Sequence, residues 1–307
     1  MESFLQTQQW AKFKETQGWQ ASQWGDLWGL SRPILGSKRL LYFPEIHFDN
    51  AQELIRQFTS VAGEGGDRET NSVFVVRFEL LSLWTKEWAA ELMEAGLKKS
   101  FESVQPEYRQ WIDLTLSEER LLEQMKPKGR YNLALTKRHN LRVERGQEPR
   151  LVNDLYRLYR ETARRAKFHG RNEAYFAALL EAMGDRAEIV AVYQKEEPLA
   201  AGLFIYYGGI ASYLYGGSGG DRSLMAPYLM HWEAMRRGKE KSCQIYDLLA
   251  VAPPDQPKHP YIGLSRFKQQ FGGETVRLLG SWDLIFQPMW YVLYRLAAKW
   301  RSGRGRQ

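Results

Sequence analysis

Residues 198–220, "PLAAGLFIYYGGIASYLYGGSGG", contain no charged side chain, and nothing else in the chain restricts its fold so tightly. A helix needs about 20 apolar residues to span a bilayer, and this run is long enough. Its centre argues otherwise. Gly208-Gly209 separates two β-rich runs, "LAAGLFIYY" and "IASYLYG", and a Gly-Gly pair between such runs signals a two-residue hairpin turn. Tyrosine and serine recur through both runs. The segment is therefore expected to be a buried hairpin and not a membrane helix.

The elements around the hairpin repeat one order. A helix over 6–17, with Trp10, Phe13 and Lys14 at helical spacing, precedes strands at 20–24, 27–34 and 39–43. A helix capped by Asp49 or Asn50 runs to about residue 62, "GEGGDRETN" is a polar loop and "SVFVVRFELL" is a strand. A helix over 86–95 and strands at 99–103 and 110–116 follow. The second half opens with helices at 118–125, 127–140, 151–167 and 172–183, which lead into the strand "AEIVAVYQ" and the hairpin. A helix over 225–238, the strand "CQIYDLLA", a helix over 264–271, the strand "TVRLLGSWDLIF" and a helix over 287–300 complete the chain.

Each half thus reads as helices, an antiparallel meander, helix, strand, helix, strand, the order of an N-acetyltransferase-like acyltransferase. The expected fold class is α/β (α+β): two tandem acyl-CoA N-acyltransferase-like (GNAT-like) domains with mixed, largely antiparallel sheets. The first covers 1–110 and is completed by 279–307; the second covers 111–278.

Composition narrows the function. A net charge of +7 points to an anionic partner such as nucleic acid, a phosphorylated ligand or a membrane surface. The one cysteine, Cys243, excludes an internal disulfide and suits a reducing cytoplasm. Five histidines, His47, His139, His169, His231 and His259, lack metal-ligand spacing, so no metal is expected. The first residues show no apolar h-region, so no signal peptide is expected either.

Glycine between a strand and a helix often cradles a phosphate, which makes "YGGSGGDRS" a candidate. It lacks the Lys-Ser or Lys-Thr of a P-loop. In an acyltransferase this junction would hold the coenzyme A pyrophosphate on [QR]-x-x-G-x-[GA], whereas the best register here is Arg222-Ser-Leu-Met-Ala-Pro. No glycine stands where the backbone must approach, and Pro227 removes a donor. Coenzyme A is disfavoured, and no cofactor is expected. The glycines are read as letting the backbone turn beside a substrate channel.

Six segments in order resemble one family: "QQWAKFKETQGW", "MKPKGRYNLALTKRHNLRVERG", "GRNEAYF", "LYGGSGGDRSLMAPYLMHWEAM", "IYDLLAV" and "GLSRFKQQFGGE". They look like the FemABX peptidoglycan-bridge aminoacyltransferases, in the compact form without the long helical arm. The resemblance implies transfer of an amino acid from aminoacyl-tRNA to the side-chain amine of the stem peptide of a peptidoglycan precursor, either lipid II or UDP-MurNAc-pentapeptide. A monomer in the cytoplasm is expected. The last helix, "MWYVLYRLAAKWRSGRGR", is aromatic on one side and basic at its end, and is expected to pack into the first domain, with peripheral contact at the inner face of the cytoplasmic membrane as the alternative. Two other readings compete: an acyl-CoA-dependent N-acyltransferase, and a non-catalytic protein that binds RNA or an anionic surface.

The resemblance also assigns residues. Lys268 matches the family's Phe-Lys pair and would steady the oxyanion or the leaving ribose oxygen, with Phe267 beside it as core or as channel wall. Arg171 and Tyr175, four apart, match a pair on the precursor's pyrophosphate. Lys14 matches a phosphate-reaching lysine, with Lys12 as its rival, and Tyr215 a channel tyrosine, with Tyr213 as its rival. Glu79 stands where an aspartate lies near the acceptor and would take the amine's proton; Asp247 is a weaker candidate. Lys128, Arg130, Lys137 and Arg138 lie in the basic segment 126–145, which would face tRNA phosphates or be a solvated helical face.

Overall fold

A computed structural model of the chain describes residues 2–56, 58 and 72–304, with side chains described to residue 300. In chain order the elements are α1 (Gln8–Thr16), β1 (Gln20–Trp24), β2 (Leu27–Leu35), β3 (Lys38–Ile46), α2 (Ala51–Arg56), β4 (Val73–Leu83), α3 (Lys86–Glu94), β5 (Lys98–Lys99) and β6 (Tyr108–Asp113). There follow α4 (Glu118–Gln124), α5 (Pro127–Thr136), β7 (Arg142–Gly146), α6 (Pro149–Ala166), α7 (Glu173–Met183), β8 (Ala187–Gln194), β9 (Glu197–Tyr207) and β10 (Ile210–Ser218). The last are α8 (Ala226–Glu240), β11 (Ile245–Ala250), α9 (Ile262–Lys268), β12 (Glu274–Ile285) and α10 (Pro288–Arg304). The tandem α/β order expected from the sequence is present.

The chain divides into two compact units, one formed by 5–107 with 277–307 and the other by 1–4 with 108–276. In the first, β1 to β4 and β12 form a mixed sheet in which β3 pairs parallel with β4 and the other pairs run antiparallel. Phe43, Phe58, Phe78, Leu92 and Leu279 are among its buried core residues. In the second, the strand order is β6-β11-β10-β9-β8-β7, with β10 and β11 parallel.

The uncharged segment is the β9–β10 hairpin. Gly208 and Gly209 form its two-residue turn with φ of 57° and 83°, and positive φ at both positions is what such a turn requires. The strands lack charge because helices cover both faces. Helix α6 packs on β9 and β10, and α8 packs on β8 and β9. Helix α6 supplies an apolar stripe of Leu151, Val152, Leu155, Leu158 and Tyr159. Among the described residues, no helix is long and apolar enough to cross a membrane.

The structure corrects several local expectations. The helix begun at Pro127 ends at Thr136, and Arg142 and Arg145 ride on strand β7, which pairs with β8. The helical face expected across 126–145 is therefore broken, and Tyr131 on α5 is 62% exposed. Strand 99–103 shrinks to Lys98–Lys99. The helix expected to reach residue 62 is described as Ala51–Arg56, and "GEGGDRETN" lies outside the described residues.

Candidate active site

Strands β10 and β11 run parallel but pair only at Ile210/Ile245, Ala211/Tyr246 and Ser212/Asp247. Beyond that point β10 continues on β9 and β11 continues on β6, each without the other. Neighbouring strands that part at their carboxyl ends form the usual ligand crevice of an α/β sheet. Both strands carry an irregularity here, and bulges beside such crevices re-aim side chains. On β10 the register shifts between Tyr213 and Tyr215. Tyr213 then meets the His231 ring at 4.6 Å, while Tyr215 meets Tyr159, Phe176 and Tyr175.

On β11 the shift falls between Asp247 and Ala250. Leu249 adopts φ of 56°, and its N–H donates to Asp247 Oδ1 at 2.7 Å. The other carboxylate oxygen accepts from Arg109 at 2.9 Å, a pair buried on both sides. Asp247 is thus committed to an arginine and to the bulge, which argues against the proton-accepting role it was offered. What the bulge presents is the Ala250 carbonyl, which accepts a 2.7 Å hydrogen bond from Lys268 Nζ.

Lys268 is 4% exposed, at the end of α9. Burial lowers its pKa to about 8, with the Asp247 carboxylate pulling the other way. Among the described residues its ammonium donates that one hydrogen bond, although an ammonium has three donors. Nearby, His231 is 1% exposed with Nδ1 2.6 Å from the Tyr246 hydroxyl. Burial, then the Lys268 charge, hold its pKa down to about 3. The imidazole is neutral, so Lys268 carries the positive charge of the pair. Phe267 is half-buried, with its ring against Tyr228, His231 and Phe271. It packs on the wall behind Lys268.

A second cluster lies in the same unit. The Tyr175 and Tyr215 hydroxyls are 3.1 Å apart, and the Arg171 guanidinium covers the Tyr175 ring at 4.8 Å. Helix α7 begins at Glu173, with Asn172 as its N-cap accepting from Tyr175 N. Arg171 precedes the helix, and cation–π stacking joins it to Tyr175. The sequence reading missed the outer face of α6 beside this cluster. Arg157, Arg160, Arg164 and Arg165 are all exposed there, at the i, i+3, i+7, i+8 spacing visible in "RLYRETARR".

The glycines of β10 serve packing. A Cβ on Gly217 would stand 2.3 Å from the Leu158 carbonyl, so glycine lets α6 lie against the strand. That corrects the channel reading, because helix fills the space. Five of the following amides are engaged within the fold, which withdraws them from a phosphate cradle. Ser218 N donates to Thr162, Gly219 N to Leu199, Ser223 N and Leu224 N to Asp221, and Met225 N to Arg222.

Other expected residues are scattered. Lys128, Lys137 and Arg138 are exposed on or just after α5, but Arg130 donates to the Glu123 and Met125 carbonyls and so caps the end of α4. In the other unit, the Lys14 ammonium sits over Trp10 and Trp19 at 5.7 and 5.1 Å. Glu79 is in mid-strand on β4. Its Oε1 accepts from Val104 N, Gln105 N and Ser281 Oγ at 2.8, 3.2 and 2.7 Å. Burial raises its pKa against the pull of those bonds. The three bonds give Glu79 an anchoring job. A surface hollow of about 690 Å³ between α7 and the start of α6 is lined by Gln147, Val152, Glu173, Leu180 and Glu181. It contains none of these residues and offers an anion no cation.

The fold and the parted strands define the class: a tandem acyltransferase-like protein with a buried lysine at the strand ends. A FemAB family model matches residues 93–195 and 187–299, and the chain belongs to the FemAB family. A lipid II:glycine glycyltransferase from Staphylococcus haemolyticus (strain JCSC1435) is 27% identical over 124 residues, which is 39% of this chain. That match spans only 29% of the relative's length. The crystal structure of FemX superposes with a TM-score of 0.81 at 18% identity, covering 95% of this chain and 94% of that one. L-PGS from Bacillus licheniformis gives 0.56 at 15% identity, covering 91% and 88%.

Proposed function

We propose that this protein is an aminoacyltransferase that builds the interpeptide bridge of peptidoglycan, moving an amino acid from aminoacyl-tRNA to a stem-peptide amine of a precursor such as lipid II. Family membership and the glycyltransferase relative support the acceptor class. The observation that carries the chemistry is the buried Lys268 ammonium beside the point where β10 and β11 part.

The donor is an ester, so no ATP is needed. The acceptor amine attacks the ester carbonyl, a C–N bond forms, and the C–O bond to the ribose breaks. The amine gives up one proton and the ribose oxygen gains one, so the step balances. An ammonium with unused donors in a dry site is suited to the developing oxyanion or to the leaving oxygen, and preorganised donors of this kind lower barriers by several kcal/mol. Alignment of the two reactants supplies much of the rest, and no nucleophilic Ser or Cys is required. Arg171, stacked on Tyr175, is assigned to precursor phosphate, with Tyr215 beside it. Lys14 in the other unit is assigned, separately, to phosphate. For the tRNA, exposed Lys128, Lys137 and Arg138 remain candidates, and the α6 arginines join them.

The test is incubation with radiolabelled aminoacyl-tRNA and either lipid II or UDP-MurNAc-pentapeptide. Label should move to the precursor and the transfer should stop when the donor is RNase-treated. Transfer that requires acetyl-CoA in place of the tRNA would establish the competing acyltransferase reading.

A further inference from the structure

Helix α10 buries Tyr291 and Tyr294 and leaves Met289, Val292, Leu293, Leu296 and Trp300 exposed at 68, 53, 43, 59 and 61%. The exposed positions follow i, i+3, i+4, i+7, i+11, so five large apolar side chains line one stripe. Both buried tyrosines are tied down in their own unit: Tyr291 donates to Asp283 at 2.8 Å, and Tyr294 donates to Glu102 and packs on Phe74 and Phe101. Rotation of the helix to hide the stripe would break those bonds.

The charge on this helix has one sign. Residues 288–307 contain no Asp or Glu, while Arg295 and Lys299 are exposed and the sequence continues with Arg301, Arg304 and Arg306. A partner helix or a second copy of the chain would be expected to meet some matching acid along the stripe. An apolar stripe with tryptophan at one end and cations alongside instead fits the plane of a bilayer interface, where tails accept the apolar face and anionic headgroups the cations.

We propose that α10 lies in the surface of an anionic membrane, with Met289, Val292, Leu293, Leu296 and Trp300 inserted and Arg295 and Lys299 at headgroup level. The inference stands apart from the transfer reaction, since it concerns adsorption of the protein and would hold with any substrate.

The test is co-sedimentation of the full chain with vesicles of phosphatidylcholine alone or with about 30% phosphatidylglycerol, at about 0.1 M salt. The wild type should pellet with anionic vesicles and bind neutral ones at least about tenfold more weakly. Leu293→Glu with Leu296→Glu should reduce anionic binding by about tenfold or more. Arg295→Glu with Lys299→Glu should weaken it to a smaller degree and flatten its salt dependence. All four positions are exposed, so circular dichroism should match the wild type. Equal binding by the stripe variant, or no binding by the wild type, overturns the proposal. So does a concentration-dependent dimer that the stripe variant abolishes, which would make the face a self-association surface.

Discussion

Each unit buries a cation, and the two are treated in opposite ways. In the unit of 5–107 and 277–307, Arg77 is 1% exposed and each of its three guanidinium nitrogens donates to a carboxylate. Nε and Nη2 bind Asp283 at 2.7 and 2.9 Å, and Nη1 binds Glu102 at 2.8 Å. Phe101 and Tyr294 flank it at 5.5 and 5.8 Å. Its partners raise its pKa despite burial. In the other unit Lys268 is equally hidden, with one carbonyl partner and a pKa lowered to about 8. A buried charge held by opposite charges belongs to the scaffold, whereas one with a single carbonyl partner costs stability, which is the ground for proposing Lys268 as a working group.

Replacing the saturated cation should do the most damage. Arg77→Met leaves Asp283 buried without its counter-charge, and urea denaturation should show a loss of about 3–5 kcal/mol. A loss below about 1 kcal/mol would remove the contrast between the two sites.

Lys268 should show the opposite sign. Its folded pKa of about 8 lies below the unfolded value of about 10.4. Between those values the unfolded chain binds more protons, so stability should rise with pH across that window. Below pH about 8 the penalty is present in full, roughly 3 kcal/mol. Lys268→Met should therefore stabilise the protein at pH 7, and the gain should fade as pH approaches about 10.4. Denaturation curves at pH 7 and above pH 10 check this. A destabilised variant at pH 7 would mean that the ammonium is a structural prop.

Glu79→Gln keeps an acceptor for the Val104, Gln105 and Ser281 donors, so it should cost at most about 1 kcal/mol. The transfer rate should stay within about threefold, whereas a proton-accepting Glu79 would require a loss on the order of a hundredfold. A smaller effect is expected on the surface of α6. If those arginines meet tRNA phosphates, each of Arg157→Gln and Arg160→Gln should lower the slope of log affinity against log salt by about 1. An unchanged slope would return the role to the cations of α5.

How much of this was legible in the sequence depended on how local the signal was. The hairpin was readable because a Gly-Gly turn and loss of charge over two strands are local properties. Strand β8 matched its apolar run, "AEIVAVYQ", for the same reason. Segment 126–145 was misread because its cations fit a helix as well as a strand, and pairing with β8 decided the second part. The start of α7 was readable too, because Asn172 is a cap residue standing directly before the helical run. Lys268 was singled out by resemblance, but its lowered pKa could not be read from the sequence. That shift comes from burial, against the pull of the Asp247 carboxylate, and burial is set by packing between segments far apart in the chain.

The central claim is that Lys268 is kept buried and under-bonded for the transfer step. The most direct measurement is the single-turnover transfer rate of Lys268→Met with aminoacyl-tRNA and lipid II, at pH 7 and with its fold checked. The account predicts a fall of about a hundredfold or more; a rate within about twofold of wild type, under ~0.4 kcal/mol of barrier, would contradict it.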